Sequence, residues 1–185
     1  MQLSEHTVIG GTTFPNQERP CPTGTVAACG AEVVPDNLLE WTDNHALARL
    51  VAAGQGAKRS TCEAVTGDCG EAPYILLGLL TYCYATGIYS SHEIELRSGH
   101  DAMVRHLCAD VYPEARILRC FRRHNRESLQ RSLQEVLQQI WTTRFNLKES
   151  APAQQQITWI PYSCAAEAEE RINRAIQVDS GECDC

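Results

Sequence analysis

Between Pro73 and Tyr84 apolar side chains fill almost every position: Leu76, Leu77, Leu79, Leu80, Tyr82, Cys83 and Tyr84. A helix that is apolar nearly all round belongs at the centre of a bundle. Pro73 suits its first turn, where a missing N–H would have no intrahelical partner anyway. Gly78 and Thr81 interrupt the run, which is too short for a membrane span. The run breaks at "TGIYSSHEIE", where Gly87 can end the helix in a left-handed conformation. Ser90 with Glu93 three residues later has the spacing of a capping box. The pattern predicts a central helix over about 73–86, a corner over 87–91 and a new helix after it.

Other segments carry the helical period too. In "VVPDNLLEWTDNHALARLVAAG", Pro35 with Asp36 or Asn37 offers a start, and Gly54 a stop. Leu38, Leu39, Trp41, Leu47, Leu50 and Val51 supply apolar faces, so one helix or a broken pair is expected. In "SGHDAMVRHLCADVYP", Asp101 reads as a cap and Met103, Val104, Leu107 and Cys108 as an apolar face, with Pro113 beyond the end.

The segment "EARILRCFRRHNRESLQRSLQEVLQQIWTTRF" is the richest. At roughly 100° per residue, Arg116, Arg119, Arg123 and Arg126 share an arc of about 80°, opposite Ile117, Leu118 and Phe121. From Leu129 the stripe continues as Leu133, Val136, Leu137, Ile140 and Trp141, but displaced by about 100°, which predicts a break over 124–128. Ala168, Ile172, Ala175 and Ile176 mark a thin apolar face in "SCAAEAEERINRAIQV", followed by the acidic "DSGECDC". The expected architecture is all-α: an irregular lead-in over 1–33, a compact helical domain over 34–147 whose C-terminal half is helix-turn-helix-like, and an acidic tail over 148–185 with one possible helix. Residues 55–72 read as a linker.

Charge sharpens the picture. The net charge of -7 argues against a surface that coats nucleic acid throughout. Residues 1–71 hold 4 basic and 9 acidic groups and residues 148–185 hold 3 and 7, whereas residues 72–147 hold 9 and 7, so only the middle is basic. The N-terminus "MQLSEHTVIGG" lacks the pattern of a secretion signal, and despite 10 cysteines the chain reads as a reduced, cytoplasmic protein.

The near cysteine pairs Cys21/Cys29, Cys62/Cys69 and Cys183/Cys185 have poor spacing for tetrahedral zinc, and no cofactor or metal is assigned. A cysteine-metal staple through those loop and tail residues is kept as an alternative. Cys83, Cys108 and Cys120 read as small core residues, and the six histidines show no ligand or triad spacing. Tyr82, Tyr84, Tyr89 and Tyr112 could stack on bases but sit where packing is the commoner role.

Three stretches in this order, "VPDNLLEWTD" at 34–43, "LLGLLTYCYATGIYSSHEIE" at 76–95 behind Pro73, and "FRRH" at 121–124, resemble the N-terminal domain of InsH-type DDE transposases of the IS5-like insertion-sequence group. The resemblance covers roughly residues 34–145. It implies an all-helical domain that precedes a catalytic domain and helps to bind the ends of the element. The chain departs from the family pattern at His92, where a basic residue is usual, and at "PEARIL" before the arginine helix. Residues 148–185 contain no Asp-Gly pair with which the family's catalytic region opens, so no strand cleavage is expected of this chain.

The expected role is a non-catalytic DNA-binding or interaction module. Arg116, Arg119, Arg122, Arg123 and Arg126 would contact the phosphates of double-stranded DNA at element ends. The plainer reading of the same residues is a solvated helix face pairing with Glu114 and Glu127, with Arg122, off the main arc, packing by its stem. Pairing with a full-length transposase, or self-association, is the alternative partner. Neither a membrane nor a small-molecule substrate is expected.

Overall fold

The computed structural model describes residues 34–59, 73–109, 111–145 and 159–183. Among them the chain forms a short 3₁₀ turn, Leu38–Glu40, and seven α-helices with no strand. These are α1 (Asn44–Arg59), α2 (Pro73–Ala85), α3 (Ser91–His100), α4 (Ala102–Cys108), α5 (Ala115–His124), α6 (Arg126–Arg144) and α7 (Trp159–Cys183). Among the described residues no helix is long and apolar enough to cross a membrane.

Helix α2 is the axis of the fold. Every residue from Leu76 to Ala85 is buried, and α1, α4, α5, α6 and α7 all pack on it. Each fully buried leucine of this kind contributes about 1.5–3 kcal/mol relative to exposure. Thr81 fits this apolar site because its hydroxyl donates to the Leu77 carbonyl at 2.7 Å and meets Ser132 Oγ at 3.1 Å. Its polar atom is thereby satisfied inside the core.

The corner after α2 takes the expected form. Gly87 has φ +80°, and the Ile88 N–H donates to the Cys83 carbonyl at 2.8 Å, the longer bond of a Schellman ending. A Cβ on Gly87 would also approach the Asp36 carbonyl oxygen to 3.3 Å, so glycine is required by both backbone and space. Ser90 Oγ then accepts from the Glu93 N–H at 3.2 Å and starts α3. Glu93 itself is engaged by Arg97, which donates at 2.6 Å.

The expected caps at Asn37, whose Oδ1 accepts from Leu39 N, and at Asp101 are present, and Asp43 adds one that was not expected. Asp101 Oδ1 accepts from Met103 N and Val104 N, at 2.9 and 3.0 Å, and Asp43 Oδ1 accepts from Ala46 N at 2.8 Å at the head of α1. The expected break falls at Asn125, between α5 and α6. Of the two forms open for 34–54, the broken pair is the one found, but Gly54 does not end it: α1 runs on to Arg59. Gly54 and Gly56 both lie inside it, at a cost of only about 1 kcal/mol each. Residues 60–72 of the expected linker lie outside the described residues.

The largest difference from the sequence reading lies in the C-terminal segment. The helix there spans Trp159–Cys183, longer than its apolar stripe suggested, and packs along α6 and against α2 and α3. Cys164, Ala168, Ile172 and Ala175 are buried, whereas Ile176, expected on the same face, is 38% exposed. Asp179, read as the first residue of an acidic tail, is helical and 3% exposed.

Candidate nucleic-acid interface

Helix α5 is oriented by its apolar side. Ala115, Leu118 and Phe121 are buried against α2 and α3, and the first N–H of the helix, at Ala115, donates to Glu95 Oε2 of α3 at 3.1 Å. The connection from Cys108 to Ala115 is longer than the three or four residues of a compact helix-turn-helix, and passes through a left-handed Ala109. At the other end Asn125 Nδ2 donates to the Phe121 carbonyl at 3.1 Å, turning the chain into α6.

With that side fixed, the arginines face the C-terminal turns of α7 across a groove of about 760 Å³. Arg116, Arg119, Cys120, Arg122, Arg123 and Arg126 line one side, and Ile176, Asp179 and Ser180 the other. The structure therefore brings together all five arginines expected to bind phosphate. It gives them three different environments.

Arg116 and Arg123 are exposed and Arg119 is half-buried, and none of the three has a hydrogen bond or ion pair among the described residues. Arg126 leans on α7, donating to Asn173 Oδ1 at 2.7 Å and lying 3.6 Å from Glu169. Arg122 is 6% exposed. Its Nη2 donates to Asp179 Oδ2 at 2.6 Å and its Nη1 to the Tyr84 hydroxyl at 2.9 Å. Packing by the aliphatic stem alone is thus replaced by a buried guanidinium paired with a carboxylate and a hydroxyl. Burial pushes the Tyr84 hydroxyl up to about 12, with the Arg122 charge pulling the other way.

Asp179 is held from three directions. Beside Arg122, the Ser91 N–H donates to Oδ1 at 2.8 Å and the Ser91 hydroxyl to Oδ2 at 2.6 Å. A second buried arginine of α7, Arg171, is 0% exposed and donates through Nη1 to the carbonyls of Asp36 and Tyr84, both at 2.8 Å, and of Ala85 at 3.3 Å. Its Nη2 donates to the Pro35 carbonyl and its Nε to Glu167 Oε1. Tyr84 and Ala85 are the last residues of α2, so Arg171 satisfies carbonyls that have no intrahelical donor and places a cation at the helix's negative end.

Neither α7 residue was singled out by the sequence reading. A signal existed for Arg122, which stands four residues after Leu118 and one after Phe121, on the edge of the buried stripe. Nothing local distinguishes Arg171 or Asp179 from the acidic and basic residues around them.

The remaining candidates separate clearly. Tyr82, Tyr84 and Tyr89 are buried and only Tyr112 of the four tyrosines is exposed. Cys83 and Cys108 are buried, whereas Cys120 is partly exposed, its Sγ 3.6 Å from His124 Nδ1. Burial pushes the Cys108 thiol up to about 11. His45 and His106 meet at a cleft of about 600 Å³ beside Asp101, a convergence that their sequence positions do not suggest. Among the described residues no group of three or more His, Cys, Asp or Glu is placed to hold a metal ion. Cys21, Cys29, Cys62, Cys69 and Cys185 lie outside the described residues.

Comparison of the chain with protein-family models, with curated proteins and with solved structures finds no match.

Proposed function

We propose that the chain is a DNA-binding module that contacts the phosphate backbone through the outer face of α5, related to the N-terminal domain of InsH-type transposases and acting in transposition. The observation that carries this reading is the set Arg116, Arg119 and Arg123: three guanidinium groups on one helix face, lining one groove, with no ion-pair partner among the described residues. Unpaired arginines held together repel one another and are stabilised by a polyanion, whose phosphates accept from the guanidinium fork in bidentate fashion. The likeness of "YATGIYSSHEIE" and "FRRH" to the transposase domain supports the same assignment.

The test is fluorescence anisotropy of a labelled duplex with the full chain at low and moderate salt. Affinity should fall steeply as salt rises, because each phosphate contact releases condensed counterions. The variant Arg116→Ala/Arg119→Ala/Arg123→Ala should lose binding at both salt concentrations. Absence of binding at low salt would shift the assignment to a protein-interaction module that pairs with a transposase.

A further inference from the structure

Of the five groove arginines, Arg122 alone is buried, and its guanidinium is already committed to Asp179 and Tyr84. Asp179 receives one charged and two neutral donors: Arg122, the Ser91 N–H and the Ser91 hydroxyl. Ser91 is the first residue of α3, so these donors together form the surroundings in which helix N-termini hold phosphate oxygens. Here a carboxylate of the protein's own α7 occupies them.

We infer that Asp179 is the positioning residue of the arginine groove: it fastens the C-terminal turns of α7 as the second wall and withdraws Arg122 from the cations that a phosphate can reach. Its consequence for binding rests on the phosphate-backbone reading above, while the placement of Arg122 does not. The binding charge then falls on Arg116, Arg119 and Arg123, with Arg126 shared with Asn173 and Glu169 on α7. The wall opposite them presents Ile176 and Ser180, which add no charge, and Asp179, whose charge Arg122 balances. A buried ion pair holds its partners strongly because removing either one strands the other without water.

Two measurements on the full chain test this. The first is labelling with phenylglyoxal, which modifies accessible guanidinium groups, with each site read by mass spectrometry. In the unchanged protein Arg116, Arg119 and Arg123 should be modified, and Arg122 and Arg171 protected. In Asp179→Asn, Arg122 should become reactive. If Arg171 stays protected there, the release is confined to the C-terminal turns of α7. If Arg171 is exposed as well, Asp179 fastens the body of the helix in addition to its C-terminal turns. Modification of Arg122 in the unchanged protein at the rate of Arg119, or its continued protection in Asp179→Asn, would overturn the inference.

The second is the dependence of duplex binding on salt in Arg122→Met/Asp179→Asn, which removes both charges and leaves an amide oxygen to accept from Ser91. Its log-log slope should equal that of the unchanged protein, whereas Arg119→Ala should lose about 0.9, the value of one phosphate contact. A loss of that size in the pair variant would mean that Arg122 touches phosphate. If the unchanged protein binds no duplex at all, the phosphate reading fails, and the labelling still decides where Arg122 is held.

Discussion

Helices α2 and α7 are both central to this fold, but they are held in opposite ways. Helix α2 is buried through apolar side chains on every face, so its place is set by the non-directional removal of hydrocarbon from water. Helix α7 has a narrow apolar stripe, Cys164, Ala168, Ile172 and Ala175, and is anchored by Arg171 and Asp179. Directional bonds fix a helix's rotation and register more tightly than so narrow an apolar stripe can. That difference matters for function, because α7 forms the wall of the groove that faces the arginines of α5.

The contrast is most easily broken at Arg171. Its replacement by methionine should cost about 3–5 kcal/mol, since the carbonyls of Asp36, Tyr84 and Ala85 lose a charged donor inside the protein. A urea denaturation midpoint measures this loss. For α2 the corresponding change is Leu79→Ala, at a fully buried position, with an expected cost of about 2–5 kcal/mol by the same assay. An apolar deletion should leave a uniformly weakened but native-like molecule, whereas Arg171→Met should loosen the 35–36 and 84–85 junction first.

Smaller effects sharpen the comparison at the connections. Gly87→Ala places a Cβ at φ +80° and against the Asp36 carbonyl, and should destabilise by about 1–2 kcal/mol. Asp101→Ala removes the acceptor for two N–H groups at the head of α4 and should cost about 1 kcal/mol, seen as a lower thermal midpoint.

Alkaline pH weakens both modes of burial without mutation, since the buried Cys83 thiol of α2 is pushed up from its ordinary 9.0 as well. The Tyr84 hydroxyl is pushed up to about 12 by burial, opposed by Arg122, while its ordinary value is 10.0. The folded form holds that proton where the unfolded form releases it, so its contribution is fully present below pH 10 and is lost as pH rises toward 12. The Cys164 thiol, pushed up to about 11 by burial, opens the same window earlier, above its ordinary 9.0. Stability followed by circular dichroism should therefore begin to fall above pH 9 and fall further beyond pH 10.

Legibility in the sequence follows the same division. The all-α fold, α2, the Gly87 corner, the Asp101 cap and the break at Asn125 could be read because each depends on residues close together in the chain. The extent of α7 could not, since its anchors find their partners far away: Arg171 at Pro35 and Asp36, Asp179 at Ser91 and Arg122. Arg116, Arg119, Arg123 and Arg126 were legible as one basic face, which the structure divides between α5 and the first residue of α6, and periodicity set Arg122 apart from these four. That its charge is internal rather than exposed depends on Asp179 arriving from another helix, which no local pattern announces. Gly54 shows the reverse case, where a local stop signal gives way to a helix that continues.

The most direct test of the groove as the phosphate site is amide hydrogen exchange along the full chain, with and without a saturating DNA duplex. Added protection is expected in α5 and in residues 176–180 of α7, leaving α1 and the body of α2 unchanged. Protection appearing elsewhere while the amides of 115–126 stay unaltered would contradict it.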